Sequence, residues 1–377
     1  MCGIYIHIPF CRRKCIYCDF YSVCFDKKLS DLFVKTLKKN IENRRNADLK
    51  VDTIYFGGGT PTTLRSMDLV SILNTVKKSF DVSNDAEVTV EANPCTVTKE
   101  YLSEIFCSGF NRISFGVQSA SDEELAELSR LHNYAQAEKA ILNAKSVGFQ
   151  NISADLMIGI LNQKKDSLIT SINKLTALPI QHVSAYMLKV EENTPLDLMI
   201  KKDNRILKNI ADEDEMSDRY LIMCKLLEDK GFYQYEISNF SKHGFESRHN
   251  LKYWQCEEYL GFGPHAHSYF NNKRFFEDCD ILSFIERDGE SQVCITDDCI
   301  DKAEEYIMLS LRLTNGLSID KLKSLDASGR FCDIVMKAER INKMSYDKLI
   351  NISEDKKNIS LTENGFLLSN TIISQLL

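Results

Sequence analysis

The chain is short of the residues that interrupt regular structure, with 16 glycines and 6 prolines in 377 positions, and it has a single tryptophan. That scarcity excludes collagen-like repeats, low-complexity scaffolds and long disordered stretches. With 44% hydrophobic residues, a folded chain with a sizeable core is expected. Positive charge is also in deficit. Lys plus Arg number 47 against 54 Asp plus Glu, a formal net charge of −7, so there is no global field for a polyanion and nucleic acid is not an expected partner. No run of about 18 uncharged apolar residues occurs, so no transmembrane segment is expected. The opening MCGIYIHIPF has no cationic stretch ahead of its apolar residues, which argues against export and makes the cytoplasm the expected compartment. At roughly 150 residues per domain, the length implies two or three units.

Cysteine is plentiful by contrast. The count of 13 is odd and cannot pair fully within one chain. Cys2, Cys24, Cys95, Cys107, Cys224, Cys256, Cys279, Cys294, Cys299 and Cys332 are mostly isolated and read as small hydrophobes or incidental thiols. Cys11, Cys15 and Cys18 cluster.

Short β-rich runs begin at Gly3, Thr53, Glu87, Arg112, Ile152 and His182, with a further candidate at Tyr233. Between them, apolar residues recur at helical spacing: Leu29, Leu32, Phe33, Leu37 and Ile41; Leu69, Val70, Leu73, Val76 and Phe80; Ala137, Ala140, Ile141 and Ala144; Leu168, Ile172 and Leu175. Six β-then-α units in a row predict an α/β fold with a parallel sheet and outer helices, either doubly wound or a whole or partial barrel. At the C-terminal ends of the predicted strands stand His7, the Gly57 to Thr60 loop, Glu91 with Asn93, Gln118 with Ser119, Asp155 and Tyr186. Parallel strands buried on both faces should be almost wholly apolar, so polar groups gathered at one end predict a functional mouth there. Taken singly, each could be a helix cap or a turn residue.

A helix is expected through Tyr220, Leu221, Cys224 and Leu227, its start marked by the acids of ADEDEMSD. We expect three segments: a barrel over 1–238, an aromatic-rich connecting layer over 239–280, and a mostly helical domain over 281–377. That last domain ends in a β-ribbon and resembles a small winged-helix fold. Asp301 to Leu377 holds 11 acidic and 11 basic residues, whereas a DNA-reading wing should be basic, so a structural or lid role is expected.

The clustered cysteines form CRRKCIYC directly after the first strand. Three thiolates on one tight loop suit an iron cubane held at three corners, with the fourth iron open to a ligand. On spacing alone, structural zinc with Cys24 or His7 as fourth ligand and a redox-active disulfide stay open.

The surrounding segment YIHIPFCRRKCIYCDF resembles the cluster loop of the radical S-adenosylmethionine (SAM) superfamily. GGGTPTTL, EANP, NRISFGVQS, LSRLHN, ISADLMIGILNQ, HNLKYW and GFGPHAHSY resemble, in this order, its oxygen-independent coproporphyrinogen III oxidase branch, and the tail resembles the C-terminal domain of that branch. Essentially the whole chain is covered. In the oxidases a further cysteine follows two positions after the third; here Cys18 is followed by Asp19 and Phe20, and only ten residues precede Cys11. With HNLKYW, that pattern resembles the HemW group of haem chaperones. The sequence departs from the group at His265, where relatives often show glycine, and at ILNQ, which lacks a frequent proline.

The resemblance implies a partial (β/α)6 TIM-like barrel and a [4Fe-4S] cluster on Cys11, Cys15 and Cys18. By motif position it implies SAM contacts from Tyr5, Tyr17, Gly58, Gly59, Thr60, Glu91, Gln118, Arg130, Asp155 and Met187. It further implies haem as cargo, with His249 as the iron ligand and Tyr253 and Trp254 covering a porphyrin face; His265 and His267 are rivals for the iron. Expected partners are haem-acceptor proteins, respiratory membrane proteins among them, and an electron donor. Coproporphyrinogen oxidation is the alternative activity.

Overall fold

The computed structural model describes residues 1–377. Six successive strands, β1 (Cys2–Ile8), β2 (Asn46–Gly58), β3 (Phe80–Ala92), β4 (Arg112–Gln118), β5 (Asn151–Ile158) and β6 (His182–Met187), lie side by side in chain order, and all pair in parallel. Helices α1 (Lys27–Asn43), α2 (Ser66–Ser79), α3 (Lys99–Cys107), α4 (Asp122–Glu127), α5 (Tyr134–Val147) and α6 (Lys165–Thr176) fill the crossovers. The expected helices are therefore present, although Leu32 of the expected apolar stripe of α1 is 52% exposed and Phe80, expected at the end of the α2 stripe, is the first residue of β3.

The strands alternate strictly. Ile4, Ile6 and Ile8, Ile54 and Phe56, Val88 and Val90, Ile113, Phe115 and Val117, and Ile152, Ala154 and Leu156 turn to the helices and join one core with Leu73, Val76 and Ile141. The intervening residues turn to the other face and bond one another. Thr53 meets His249, Tyr55 meets Glu91, Ser114 meets Asp155 and Ser153 meets His182. The expectation of near-apolar strands with polar groups only at the mouth is thus corrected: polar side chains line the interior along its length. Period-2 alternation is the rule for a sheet with one apolar face.

The main sheet extends beyond the expected barrel. After α7 (Pro195–Lys202) and α8 (Glu213–Asp229) come β7 (Tyr233–Glu236) and β8 (Asn239–Ser241); β8 pairs antiparallel with β6, and β7 pairs antiparallel with β8 at the edge. Helix α9 (Arg248–Trp254) leads to β9 (Tyr259–Phe262), which pairs in parallel with the far side of β1. Strands β10 (His267–Phe270), β11 (Lys273–Glu277) and β12 (Val293–Asp297) continue antiparallel to that edge. Residues 239–280 are therefore no separate layer, since they supply a seventh parallel strand. Strands of three to five residues are too short to show a periodicity of their own.

The remainder carries helices at Lys302–Ser310, Ile319–Leu325 and Ile334–Met344 and a three-stranded sheet in the order Leu317–Ser318, Asn358–Leu361, Ile350–Ile352. Two short helices, Glu363–Leu367 and Ser369–Leu376, end the chain. This is the helix-and-ribbon pattern expected of the tail. It shares the barrel's core cluster, which runs from Cys2 to Leu376.

Candidate functional site

The loop after β1 carries the cysteine trio. Its two ends are clamped by a short parallel ladder, Phe10–Cys11 against Val23–Cys24. Its middle is tied to α7 by a 2.8 Å bond from Leu196 N–H to the Ile16 carbonyl. The glycine loop after β2 packs against it: Gly59 N–H donates to the Ile8 carbonyl at 2.9 Å, and Thr60 N–H donates to the Phe10 carbonyl at 2.7 Å. A Cβ on Gly59 would lie 2.7 Å from the Phe10 oxygen, and Gly58 takes φ 107° against the His7 ring. Only glycine permits this approach.

A cavity of about 430 Å³ opens at the C-terminal ends of the parallel strands. Cys11, Cys15, Cys18, Tyr17, Gly58, Gly59, Thr60, Glu91, Gln118, Arg130, Asp155 and Met187 all line it. Residues from five strands and three loops, as far as 176 positions apart, thus meet at one mouth, the end of a parallel barrel where ligands bind. Phe20 and Tyr186, 64% and 44% exposed, stand at its rim.

The donor set fits an iron–sulfur cluster. All three cysteines are free, and Arg130 Nη1 lies 3.5 Å from Cys15 Sγ while Cys11 Sγ lies 3.6 Å from Thr60 Oγ1. Burial, and the neighbouring Cys15 and Cys11, push the Cys18 thiol up to about 11, although a bond from the Phe20 backbone opposes the shift. Cysteines bind a cluster as thiolates, and the cluster iron supplies the charge that keeps them ionised. No three such side chains converge to hold a single metal ion. The alternative zinc ligands also stand apart: Cys24 is exposed, and His7 is engaged at both ring nitrogens by Tyr5 OH (3.1 Å) and the Tyr21 carbonyl (3.0 Å).

The cavity also fits a ligand with both carboxylate and cationic groups. Arg130 bonds the Gly116 carbonyl, and its Nε is buried without a partner, a donor left for an anion. Glu91 and Asp155 supply negative charge. Burial raises Glu91 to about 7, against a 2.7 Å bond donated by Tyr55 OH. Burial likewise raises Asp155 to about 6, opposed by Ser114 OH at 3.0 Å and by Arg112 and Arg130. Gln118 stands at φ 73°, a strained backbone of the kind that gathers at binding sites.

Two expected residues lie elsewhere. Tyr5 sits behind the cavity, bonded to His7 and stacked at 6.2 Å on Tyr55. His249 is 0% exposed: Thr53 Oγ1 holds Nδ1 at 2.8 Å and Tyr253 OH holds Nε2 at 2.9 Å. HNLKYW is the helix α9 under the barrel, capped by Ser247 and by the Glu87 carboxylate, which accepts from the N–H groups of Arg248 and His249. Tyr253 is turned inward to His249, and Trp254 faces Arg312 at 5.8 Å. The expected iron ligand therefore has no free nitrogen in this fold. Sequence reasoning missed Ser114 and Gly116; a Cβ on Gly116 would meet Arg130 Nη2 at 2.9 Å, so its bareness makes room for the guanidinium.

Residues 5–175 match the Radical SAM superfamily. Proteins named heme chaperone HemW are similar over the full chain. That of Bacillus subtilis (strain 168) is 34% identical, covering 100% of this chain and 99% of its own length. That of Lactococcus lactis subsp. lactis is 31% identical, covering 99% and 96%. Among solved structures, the coproporphyrinogen III oxidase HemN from Escherichia coli, described as a radical SAM enzyme, superposes with TM-score 0.83 at 19% identity, covering 99% of this chain and 89% of that one, a likeness of fold. By sequence along its whole length, the chain belongs to the HemW family of the radical SAM superfamily.

Proposed function

We propose that the chain is a haem chaperone carrying a [4Fe-4S] cluster on Cys11, Cys15 and Cys18 and binding SAM in the adjoining cavity. The observation that carries the reading is the meeting of the three thiols, the glycine loop and the Arg130, Glu91 and Asp155 side chains in one hollow. When bound, the cluster supplies a low-potential electron source with one iron open to a ligand. Gly58, Gly59 and Thr60 bring backbone close to that ligand. Arg130, with its free Nε, is suited to a carboxylate, and Glu91 and Asp155 are suited to cationic or hydroxyl groups. Gln118, Tyr17 and Met187 complete the wall.

Haem as cargo is supported by the names of the full-length relatives. The partners in this reading are haem-acceptor proteins, respiratory membrane proteins among them, and an electron donor. No helix is long and apolar enough to cross a membrane. A thiolate-held cluster calls for a reducing compartment, which supports the cytoplasm. Asp19 and Phe20 after Cys18, in place of a further cysteine, weigh against coproporphyrinogen oxidation.

The test is anaerobic reconstitution. Iron and sulfide should be taken up together, Cys15→Ala should abolish the brown colour, and the protein should bind haem yet leave coproporphyrinogen III unchanged with SAM and reductant. Zinc in place of iron, or porphyrinogen decarboxylation at enzyme-like rates, would overturn the reading.

A further inference from the structure

The chain has 7 histidines, and the fold sorts them by access. His7, His132, His182 and His249 are buried, each with at least one ring nitrogen engaged by Tyr5, Val117, Ser153 or Thr53. His243 stacks alone on Tyr233. His265 and His267 differ from the four buried rings, and they stand as a pair where His243 stands alone. They sit two residues apart where the turn after β9 enters β10, and the contacts of their rings are aromatic: His265 lies 4.3 Å from Tyr21 and 6.3 Å from Phe276, and His267 lies 5.1 Å from Phe276. Their nitrogens are left unengaged.

The backbone adds a second observation. His265 stands at φ 58°, the left-handed region that glycine adopts freely and a side chain occupies under strain. A strained residue whose imidazole makes no hydrogen bond of its own marks a place where the ring is needed for something outside the chain. The site adjoins the cluster loop, since Tyr21 follows Cys18 by three positions and its carbonyl holds His7.

We propose that His265 and His267 are the landing site for haem iron in this chain, with the porphyrin lying beside Tyr21 and Phe276 at the edge of the cluster loop. The proposal rests on the haem-chaperone reading and names its site. Imidazole is a common axial ligand of haem iron, and a carrier that must pass its cargo on needs a ligand that solvent and acceptor can reach. His249, sealed beneath the barrel, offers neither access nor a free nitrogen.

The test is a titration of the reconstituted chain with haemin, read by the Soret band of imidazole-ligated iron, on wild type, His265→Gly, His267→Ala, the double variant and His249→Ala, with a thermal melt of each. Glycine relieves the left-handed backbone, so His265→Gly should melt no lower than wild type. The expected result is loss of the ligated Soret band and at least tenfold weaker binding in the double variant, with the band kept in folded His249→Ala. A wild-type spectrum in the double variant, or a band lost only in folded His249→Ala, overturns the site while the chaperone reading stands. Failure of wild type to bind haemin overturns both.

Discussion

Tyr55 donates its phenol hydrogen to Glu91 Oε1 at 2.7 Å while its ring lies 5.2 Å from that of His249, so one side chain joins the carboxylate at the mouth to the imidazole at the floor. The interior is a connected polar column, and changes at one end should be felt at the other.

Two buried carboxyls at the mouth contribute to the pH response of the unliganded protein. Glu91 is raised to about 7 and Asp155 to about 6, both above their unfolded values. Such groups cost stability when ionised, fully so above the folded value, and the cost disappears as pH falls through the folded value towards the unfolded one. The ionisation cost of these two carboxyls should therefore be largest near pH 8 and shrink towards pH 5, while the buried His7, His132, His182 and His249, all held below the ordinary imidazole range by burial, oppose that gain below about pH 6.5. Glu91→Gln should raise stability at pH 8 by on the order of 1–2 kcal/mol, allowing for solvent screening in the cavity, and this advantage over wild type should shrink towards pH 5. An advantage of Glu91→Gln over wild type that is the same at pH 8 and pH 5 would contradict this.

Arg130→Ala should weaken SAM binding by about a hundredfold, about 2.7 kcal/mol, because a charge-assisted bond to a carboxylate would be lost in a sheltered site. Equilibrium dialysis with labelled SAM measures it. Arg130→Lys, which keeps the charge but loses the fork, should recover only part.

Gly59→Ala would place a methyl group 2.7 Å from the Phe10 carbonyl oxygen, a backbone atom that cannot swing away. The glycine loop should separate from the cysteine loop, and iron content after reconstitution should fall well below that of wild type. Circular dichroism should report an otherwise intact barrel.

Removing the His249 ring leaves Thr53 Oγ1 and Tyr253 OH without their partner in a sealed interior. His249→Ala should cost about 2–4 kcal/mol of stability in urea titration. His267→Ala, at an exposed position, should cost under about 0.5 kcal/mol.

The barrel was legible in the sequence because six β-rich runs alternate with stretches of helical period, although the helix Lys99–Cys107 was not among those anticipated. The mouth was legible because Glu91, Gln118 and Asp155 end those runs. What stayed hidden depends on distant partners. HNLKYW looks like an accessible loop until Glu87 and Thr53, 162 and 196 positions from His249, are seen to cap the helix and hold the imidazole. Gly116 carries no signal beyond a break in an apolar strand; its purpose is visible only once Arg130 crosses over it. Strands β9 to β12 are individually too short to announce themselves, and they gain stability from pairing with β1 and with each other.

The short ladder between Phe10–Cys11 and Val23–Cys24 holds the cysteine loop by main-chain bonds alone. The path of the loop is thus set by backbone pairing and not by the side chains along it, so exchanging one cysteine should empty the site of iron while leaving the course of the chain around it unaltered.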